Sequence, residues 1–481
     1  MVAETSISAH AEVGKVAMKR VSRRILPLVF LGAFMNNLSQ GNISLAASGM
    51  MEGLGINERV FGISVSLFFI PAIVLQIPLV QLAKKFGARR SFAGMSFIFG
   101  VVSASTCTVT NVAGLVAIRL VQGAVQAPFL PYATSYISTF YSTDGVGKAF
   151  GLSINLGISL SSIIPLGAAV LYATSASTVM ASWRWLFLIE ALPYFILTLP
   201  FLFLLPDGPS SCGNFLRADE QQWMIEKEAV MEADRATQSS KLTKKERPVL
   251  LSLLLDVRIG VLIVDFFFHA TAYSGFFFFL PSILSNDNRY SEGTTALLST
   301  IPFAVSVPFG LINAAIVDRT GKRLPHAIFG QMVALVGMLM TALILRMDKP
   351  PTSLELISLS LIETGSCCFF VPFITFPGEI LPERVASTGF AVISMGGSTG
   401  FAIGPSIVGA LAEAVGSYSL SFIALASIMS VAISLTISLL VMTGQKKVVQ
   451  KTLALEMVYS AVPVQDGDTI TKHDHSETVV P

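Results

Sequence analysis

Charge is what this sequence has least of. Only 13% of its 481 residues are Asp, Glu, Lys or Arg, where a soluble domain carries about 25%. That supply cannot clothe a chain of this length in water, which excludes one large soluble domain. Neither sign dominates. The 32 basic and 30 acidic residues leave a net charge of +2, and no basic patch with interleaved aromatics occurs, so nucleic acid is not an expected partner. Cysteine is scarce. Cys107, Cys212, Cys367 and Cys368 follow no metal-ligand or disulfide spacing, and all four read as free thiols. The five histidines are scattered, His473 and His475 in the tail. No H-E-x-x-H pattern, nucleotide loop or serine elbow is present. The run GGSTG (396–400) looks like a phosphate cradle but follows no strand. No enzyme activity, metal or cofactor is therefore expected. The polar N-terminus shows no small-residue cleavage site, so no signal peptide is expected either.

What is abundant is hydrocarbon. The chain is 53% hydrophobic with 34 Phe, and its mean hydropathy is +0.69. Such a chain needs lipid. Apolar runs bounded by charge, Gly or Pro predict twelve helices, over 25–47, 60–82, 91–109, 112–141, 148–172, 184–205, 257–284, 293–317, 324–346, 353–379, 386–413 and 417–442. This is an all-α integral membrane protein in two six-helix bundles. The organisation reads as an N-terminal tail (1–20), a first bundle (21–206), a central polar stretch (207–250) with one amphipathic helix near Glu220–Ala236, a second bundle (251–444) and a polar, disordered tail (445–481). Basic residues set the orientation. Lys15, Lys19, Arg20, Arg23 and Arg24 precede the first span, Lys446 and Lys447 follow the last, and the central stretch is rich in both types. Both termini and the central stretch are thus expected on the cytoplasmic side of the cell membrane.

The layout repeats. Lys84, Lys85, Gly87, Arg89 and Arg90 follow the second span, and Asp318, Arg319, Gly321, Lys322 and Arg323 follow the eighth. Each loop is a glycine turn among basic residues at the same place in its half. One reading is a gating latch; the other is ordinary inside-positive charge. Two parallel six-helix halves are a common build for secondary transporters, with substrate held between them.

At these residues the chain resembles the major facilitator superfamily, and within it the anion:cation symporter family of tartrate-, sugar-acid- and aromatic-acid-type permeases. The resemblance rests on RRILPLVFLGAFMNNLSQGNISLA in the first helix, IPLVQLAKKFGARR, WRWLFLIEALPYF (183–195) with LPDGP (205–209), and LPERVASTGFAVISMGGSTGFAIGPSIVGAL (381–411). It covers roughly residues 20–445. It implies a monomer that takes up an organic anion with protons. The departures are specific. Lys84 stands where the superfamily usually has Asp. The family's first helix reads N-x-L-D-R-x-N, and here Ser39 and Gln40 replace the acid and the base. Gln126 replaces a Glu seven residues after Arg119, and Ser394 and Ser398 replace two Asn.

Polar groups inside the spans are the candidate site, because they are costly in lipid unless they face a cavity or a partner. Asn36 and Gln40 lie four apart on one helix face and read as cavity wall, or as interhelical bonding. Asn37 and Ser39 point elsewhere. Asn42 reads as interhelical; Asn42-Ile-Ser44 fits a glycosylation pattern but lies within a span. Arg119, Gln122 and Gln126 share a face of the fourth helix. Arg119 is the anion-binding candidate, since guanidinium grips carboxylate through two parallel bonds; the alternative is a structural arginine. In the second half, His269, Tyr273, Ser394 and Ser398 extend the substrate set. Asp265 and Glu363 are candidates to carry the coupling proton, although Asp265 also reads as solvated near the cytoplasmic end. Glu190 reads as structural. Glu379, Glu383 and Arg384 belong to the gate or to solvated loops. The eleventh-span glycines and Pro405 fit close helix approach and rocking.

Three functions remain open on these residues. The first is a proton-coupled carrier of a small organic anion. The second is a facilitator, or a carrier of a neutral polar solute. The third is a transporter-like sensor.

Overall fold

The computed structural model describes residues 2–141, 149, 153, 166–174, 177–242, 256–285, 290–380 and 383–461. Every regular element among them is helical. The N-terminal half contains α1 (Val2–Leu45), α2 (Ala47–Leu54), α3 (Glu58–Leu67), α4 (Phe69–Phe86), α5 (Ala88–Thr106), α6 (Val112–Gln126), α7 (Phe129–Phe140), α8 (Leu166–Thr174) and α9 (Ser182–Leu204). The central stretch holds α10 (Ala218–Leu242). The C-terminal half contains α11 (Val257–Leu284), α12 (Glu292–Leu298), α13 (Ile301–Thr320), α14 (Arg323–Ile344), α15 (Thr352–Thr375), α16 (Pro377–Ile380), α17 (Glu383–Val415) and α18 (Ser419–Ala461).

Among the described residues, nine helical stretches are long and apolar enough to cross a membrane, and they fall on nine of the expected spans. Two more spans, 25–47 and 91–109, are helical but less apolar. The first carries Asn36, Asn37 and Gln40 at mid-run, and α5 opens on Arg89 and Arg90. The expected span 148–172 lies mostly outside the described residues. Apolar side chains such as Ile77, Ile196, Phe203, Leu311 and Leu343 are exposed on the outside of the bundles. Lipid is the solvent that such a surface requires.

Turn chemistry sets the breaks. Asn57 and Asn111 cap α3 and α6 by accepting from Val60 N at 3.0 Å and Gly114 N at 2.8 Å. The first and last helices run past the spans expected of them. α1 begins at Val2, and α18 runs on to Ala461. For α1 the cause is a partner surface. α10 packs along it, with Glu220 accepting from Arg20 at 2.8 Å and Trp223 closing against Gly14. For α18 the Ala-, Leu-, Lys- and Gln-containing continuation KKVVQKTLALEM is itself helix-favouring.

The halves meet at one end. There α3 and α4 pack on α17, α8 on α12, and α1 on α11. Two reciprocal glycines permit the closest approach. A Cβ on Gly62 would sit 2.3 Å from the Pro405 carbonyl oxygen, and one on Gly409 would sit 2.3 Å from that of Glu58. Ser66 and Ser406 hydroxyls bond across the seam at 2.7 Å, and Asn57 donates to Glu413 at 2.6 Å. One apolar core spans both halves at this end, joining Phe61, Phe69 and Trp183 to Phe276, Phe278 and Phe422. Toward the basic loops the core splits. Phe92, Tyr136 and Phe201 belong to a cluster of the N-terminal half alone, and Ile259, Leu324 and Phe373 to one of the C-terminal half alone.

Candidate functional site

α6 places Arg119 inside the N-terminal half, 3% exposed. Its Nη1 donates to Gln122 Oε1 at 2.9 Å, and Gln122 donates on to Thr106 at 3.3 Å. The guanidinium lies over the Phe68 ring, 4.6 Å from its centroid. It also feels the charge of Glu190, whose Oε2 accepts from Asn42 at 3.0 Å. Arg119 Nε and Nη2 are buried and have no partner among the described residues. Those two nitrogens form one edge of the guanidinium, the edge that takes a carboxylate side-on.

The polar residues of α1 divide by face. Gln126 Nε2 donates to Ser39 Oγ at 2.5 Å, and Tyr194 OH donates to the Met35 carbonyl at 2.8 Å and contacts Ser39 at 3.0 Å. So the neutral pair Ser39 and Gln126 bond one another inside the bundle, while Gln126 Oε1 is buried with no partner among the described residues. Asn36 accepts from Gln40 at 3.2 Å. With Ser96, Gln126 and Tyr194 it lines a cavity of about 20 Å3, room for one water. The Asn36/Gln40 face thus exists, but Asn36 looks into this intrabundle cavity. Asn37, set on another face by its spacing, lies four residues before Gly41, whose neighbour across the halves is Phe277.

The C-terminal half builds two separate polar sites. Tyr273 OH donates to Glu363 Oε1 at 3.3 Å, while Glu363 Oε2 is buried with no partner among the described residues. His269 stacks on Phe369 at 3.7 Å, and its Nδ1 is likewise unpartnered. Asp265 turns the other way, into the bundle. It accepts from Gln331 of α14 at 3.0 Å and contacts Thr436 of α18 at 2.7 Å. It is fully buried, not solvated. The sequence face Asp265/His269/Tyr273 is therefore split between two environments, because one helix touches different neighbours along its length. Ser394 and Ser398 are half-buried, with Ser398 donating back to the Ser394 carbonyl at 3.1 Å. Among the described residues no group of three His, Cys, Asp or Glu is placed to hold a metal.

The basic loops lie at the end where the core is split. Gly87 adopts φ +82 against Asp207, whose Oδ1 accepts from Arg89 N at 2.9 Å, and Arg89 Nε donates to the Leu205 carbonyl at 3.2 Å. Gly321 adopts φ +64, and Arg323 donates to the Thr375 carbonyl at 2.7 Å. These bonds stay within each loop's own half. Lys84, Lys85, Arg90, Asp318, Arg319 and Lys322 are exposed. The side chains of Glu379, Glu383 and Arg384 lie outside the described residues.

The profile described as Major Facilitator Superfamily matches residues 29–388 and again 262–456. An Agrobacterium vitis protein, provisionally named a tartrate transporter, is 27% identical over 426 residues, covering 88% of this chain and 94% of that protein. A quinolone resistance transporter of Acinetobacter baumannii is 25% identical over 422 residues, covering 85% and 93%. Among solved structures, the inward-open conformation of the xylose transporter XylE from E. coli superposes with a TM-score of 0.67 at 15% identity, covering 86% of this chain and 95% of that one. A bacterial homologue of the human lysosomal transporter Spinster, in an inward-facing and occupied conformation, gives 0.69 at 14% identity, covering 86% and 96%.

Proposed function

This chain belongs to the Major Facilitator Superfamily, a family of multi-pass membrane transporters, and on that premise we propose that it carries a small organic anion by alternating access, coupled to protons. The observation that carries the reading is the unpartnered Nε–Nη2 edge of Arg119, the buried charged group of this half that keeps two orphaned donors side by side. A carboxylate arriving there gains two charge-assisted bonds and relieves two orphaned donors. The similarity to a provisionally named tartrate transporter supports a hydroxy- or sugar-acid class of substrate. With Ser39 and Gln126 neutral, Glu363 and Asp265 are the carboxyls we assign to carry the proton, and Glu190, bonded to Asn42 beside Arg119, is assigned a structural role. With both termini cytoplasmic, the sealed end faces outward and the split end inward, so this conformation is the inward-facing one. The matched basic loops then act as the gate, which re-forms when the split end closes. The protein works as a monomer in the cell membrane.

The test is uptake into reconstituted liposomes. Labelled tartrate and sugar acids are compared with sugars and polyols, with and without an inward proton gradient. Concentrative, gradient-dependent acid uptake supports the proposal. A second reading rests on the Ser39–Gln126–Tyr194 cluster, which offers hydroxyls and amides where a coupling carboxylate would sit. On that reading uptake only equilibrates and ignores the gradient.

A further inference from the structure

Asp265, Gln331 and Thr436 form a closed triangle of contacts with no exposed surface. Gln331 Nε2 lies 3.0 Å from Asp265 Oδ1, Thr436 Oγ1 lies 2.7 Å from Asp265 Oδ2, and Thr436 Oγ1 lies 2.9 Å from Gln331 Oε1. The Ala432 carbonyl stands 3.2 Å from the same hydroxyl. Three contacts need three donors in sequence around the ring. A threonine hydroxyl has one hydrogen, and an ionised carboxylate has none. If Asp265 is ionised, it takes the threonine hydrogen and one amide hydrogen. Thr436 Oγ1 and Gln331 Oε1 then face each other lone pair to lone pair. Flipping the amide only moves the conflict, setting Gln331 Oε1 against Asp265 Oδ1. No water reaches the ring to relieve it, and an unmet buried contact is costly.

One proton on the carboxyl resolves all three contacts of the ring, and leaves the longer approach of the Ala432 carbonyl, which already has the helix ladder, without the threonine hydrogen. Asp265 Oδ2–H donates to Thr436, Thr436 donates to Gln331 Oε1, and Gln331 Nε2–H donates to Asp265 Oδ1. The same count closes with the amide flipped and the proton on Oδ1. We infer that Asp265, Gln331 and Thr436 constitute a proton-binding site whose carboxyl is occupied by a proton in this conformation, with Gln331 and Thr436 as its positioning residues. Among the described residues no neighbouring charge bonds the ring. On α11, Arg258 is engaged with Asp256 at 2.6 Å and His269 stacks on Phe369. On α14, His326 bonds Asn313 at 3.0 Å and Arg323 reaches the Thr375 carbonyl. On α15, Glu363 bonds Tyr273. On α17, Glu413 bonds Asn57 at the far end, and the side chains of Glu383 and Arg384 lie outside the described residues. The membrane-spanning part of α18, Ser419–Gly444, contains no charged residue.

The role in transport rests on the proton-coupled reading; the occupancy of the ring does not. Infrared difference spectra of the purified full-length protein in lipid, near neutral pH and without substrate, read the occupancy directly. The expected result is a protonated-carboxyl C=O band that disappears in Asp265→Asn and shifts in Thr436→Val and Gln331→Leu. Asp265→Asn supplies an amide where the acid group stood, so the protein is expected to remain monodisperse. Should that variant not fold, the band shifts in the other two carry the test. No carboxyl band that responds to any of the three variants overturns the inference, whatever uptake does. A responsive band in a protein whose uptake ignores the gradient overturns proton coupling and leaves the ring standing.

Discussion

Replacing Gly62 with Ala puts a methyl 2.3 Å from the Pro405 carbonyl oxygen, on the other half of the molecule. Ordinary contact begins near 3.4 Å, and the obstacle is backbone, which cannot swing aside. The halves must therefore part by about 1 Å along this seam. Forced overpacking of this kind costs roughly 1–3 kcal/mol. The cost applies only while the seam is shut, so it shifts the balance between closed and open at this end by about 5- to 150-fold. The reporter is a cysteine at Ser66, which is buried at the seam and bonded to Ser406. In a background with the four native cysteines replaced, its reaction with a membrane-impermeant maleimide measures opening. Gly62→Ala should raise that rate by a factor in this range, and Gly409→Ala, facing the Glu58 carbonyl, should do the same. Unchanged labelling in either intact, monodisperse variant would falsify the seam as the closed state.

A double variant, Ser66→Cys with Ser406→Cys, should cross-link on oxidation, because the native oxygens stand 2.7 Å apart and a disulfide needs close, facing Cβ atoms; uptake should stop and return on reduction, and uptake indifferent to oxidant counts against alternating access at this seam. Arg119→Lys keeps the charge but loses the two-pronged edge. Acid uptake should fall at least about tenfold, as expected for roughly 2 kcal/mol of lost charge-assisted bonding, and wild-type affinity in this variant would remove Arg119 from the site. Glu363→Gln should leave substrate binding measurable while abolishing stimulation by the gradient; retained stimulation would exclude Glu363 as the proton carrier. Burial and the charge of Glu228 push the Cys212 thiol up to about 12. The thiolate reacts, so at pH 8 native Cys212 should label about a thousandfold more slowly than an ordinary thiol and catch up on unfolding; fast native labelling would show that this loop is open.

Much of the fold was legible because lipid demands long apolar runs, and helix breaks fall at Asn57, Asn111, Gly87 and Gly321, whose chemistry is local. The candidate site was legible only in part. Spacing shows that Asn36 and Gln40 share a face, but not which way the face turns. α1 is surrounded by polar neighbours on several sides, so polarity alone could not separate Asn36, which looks into the bundle, from Asn37 on the face of Gly41. Asp265 was visible as a carboxyl in a span, yet its partners lie 66 and 171 residues away in sequence. Nothing local marks Gln331 or Thr436 as anything but a polar residue on a helix. The length of α1 was not legible for a similar reason. Composition reports what a segment lacks for a core of its own, and α10 supplies α1 with a surface from 200 residues away.

α1 and α18 both overshoot their bundles, one from each half, and both do so at the end where the core is split. They are the legs of a pair of callipers. Ala17 and Val21 are buried in the core of the N-terminal half, so residues 2–14 of α1 make an arm of about 20 Å, braced by α10, and each degree of rocking moves its tip by about 0.35 Å beyond the movement of the bundle end. Anything that grips either leg, whether a fused domain, an antibody or a neighbouring protein, acts on the angle between the halves with that leverage, at a distance from the substrate path.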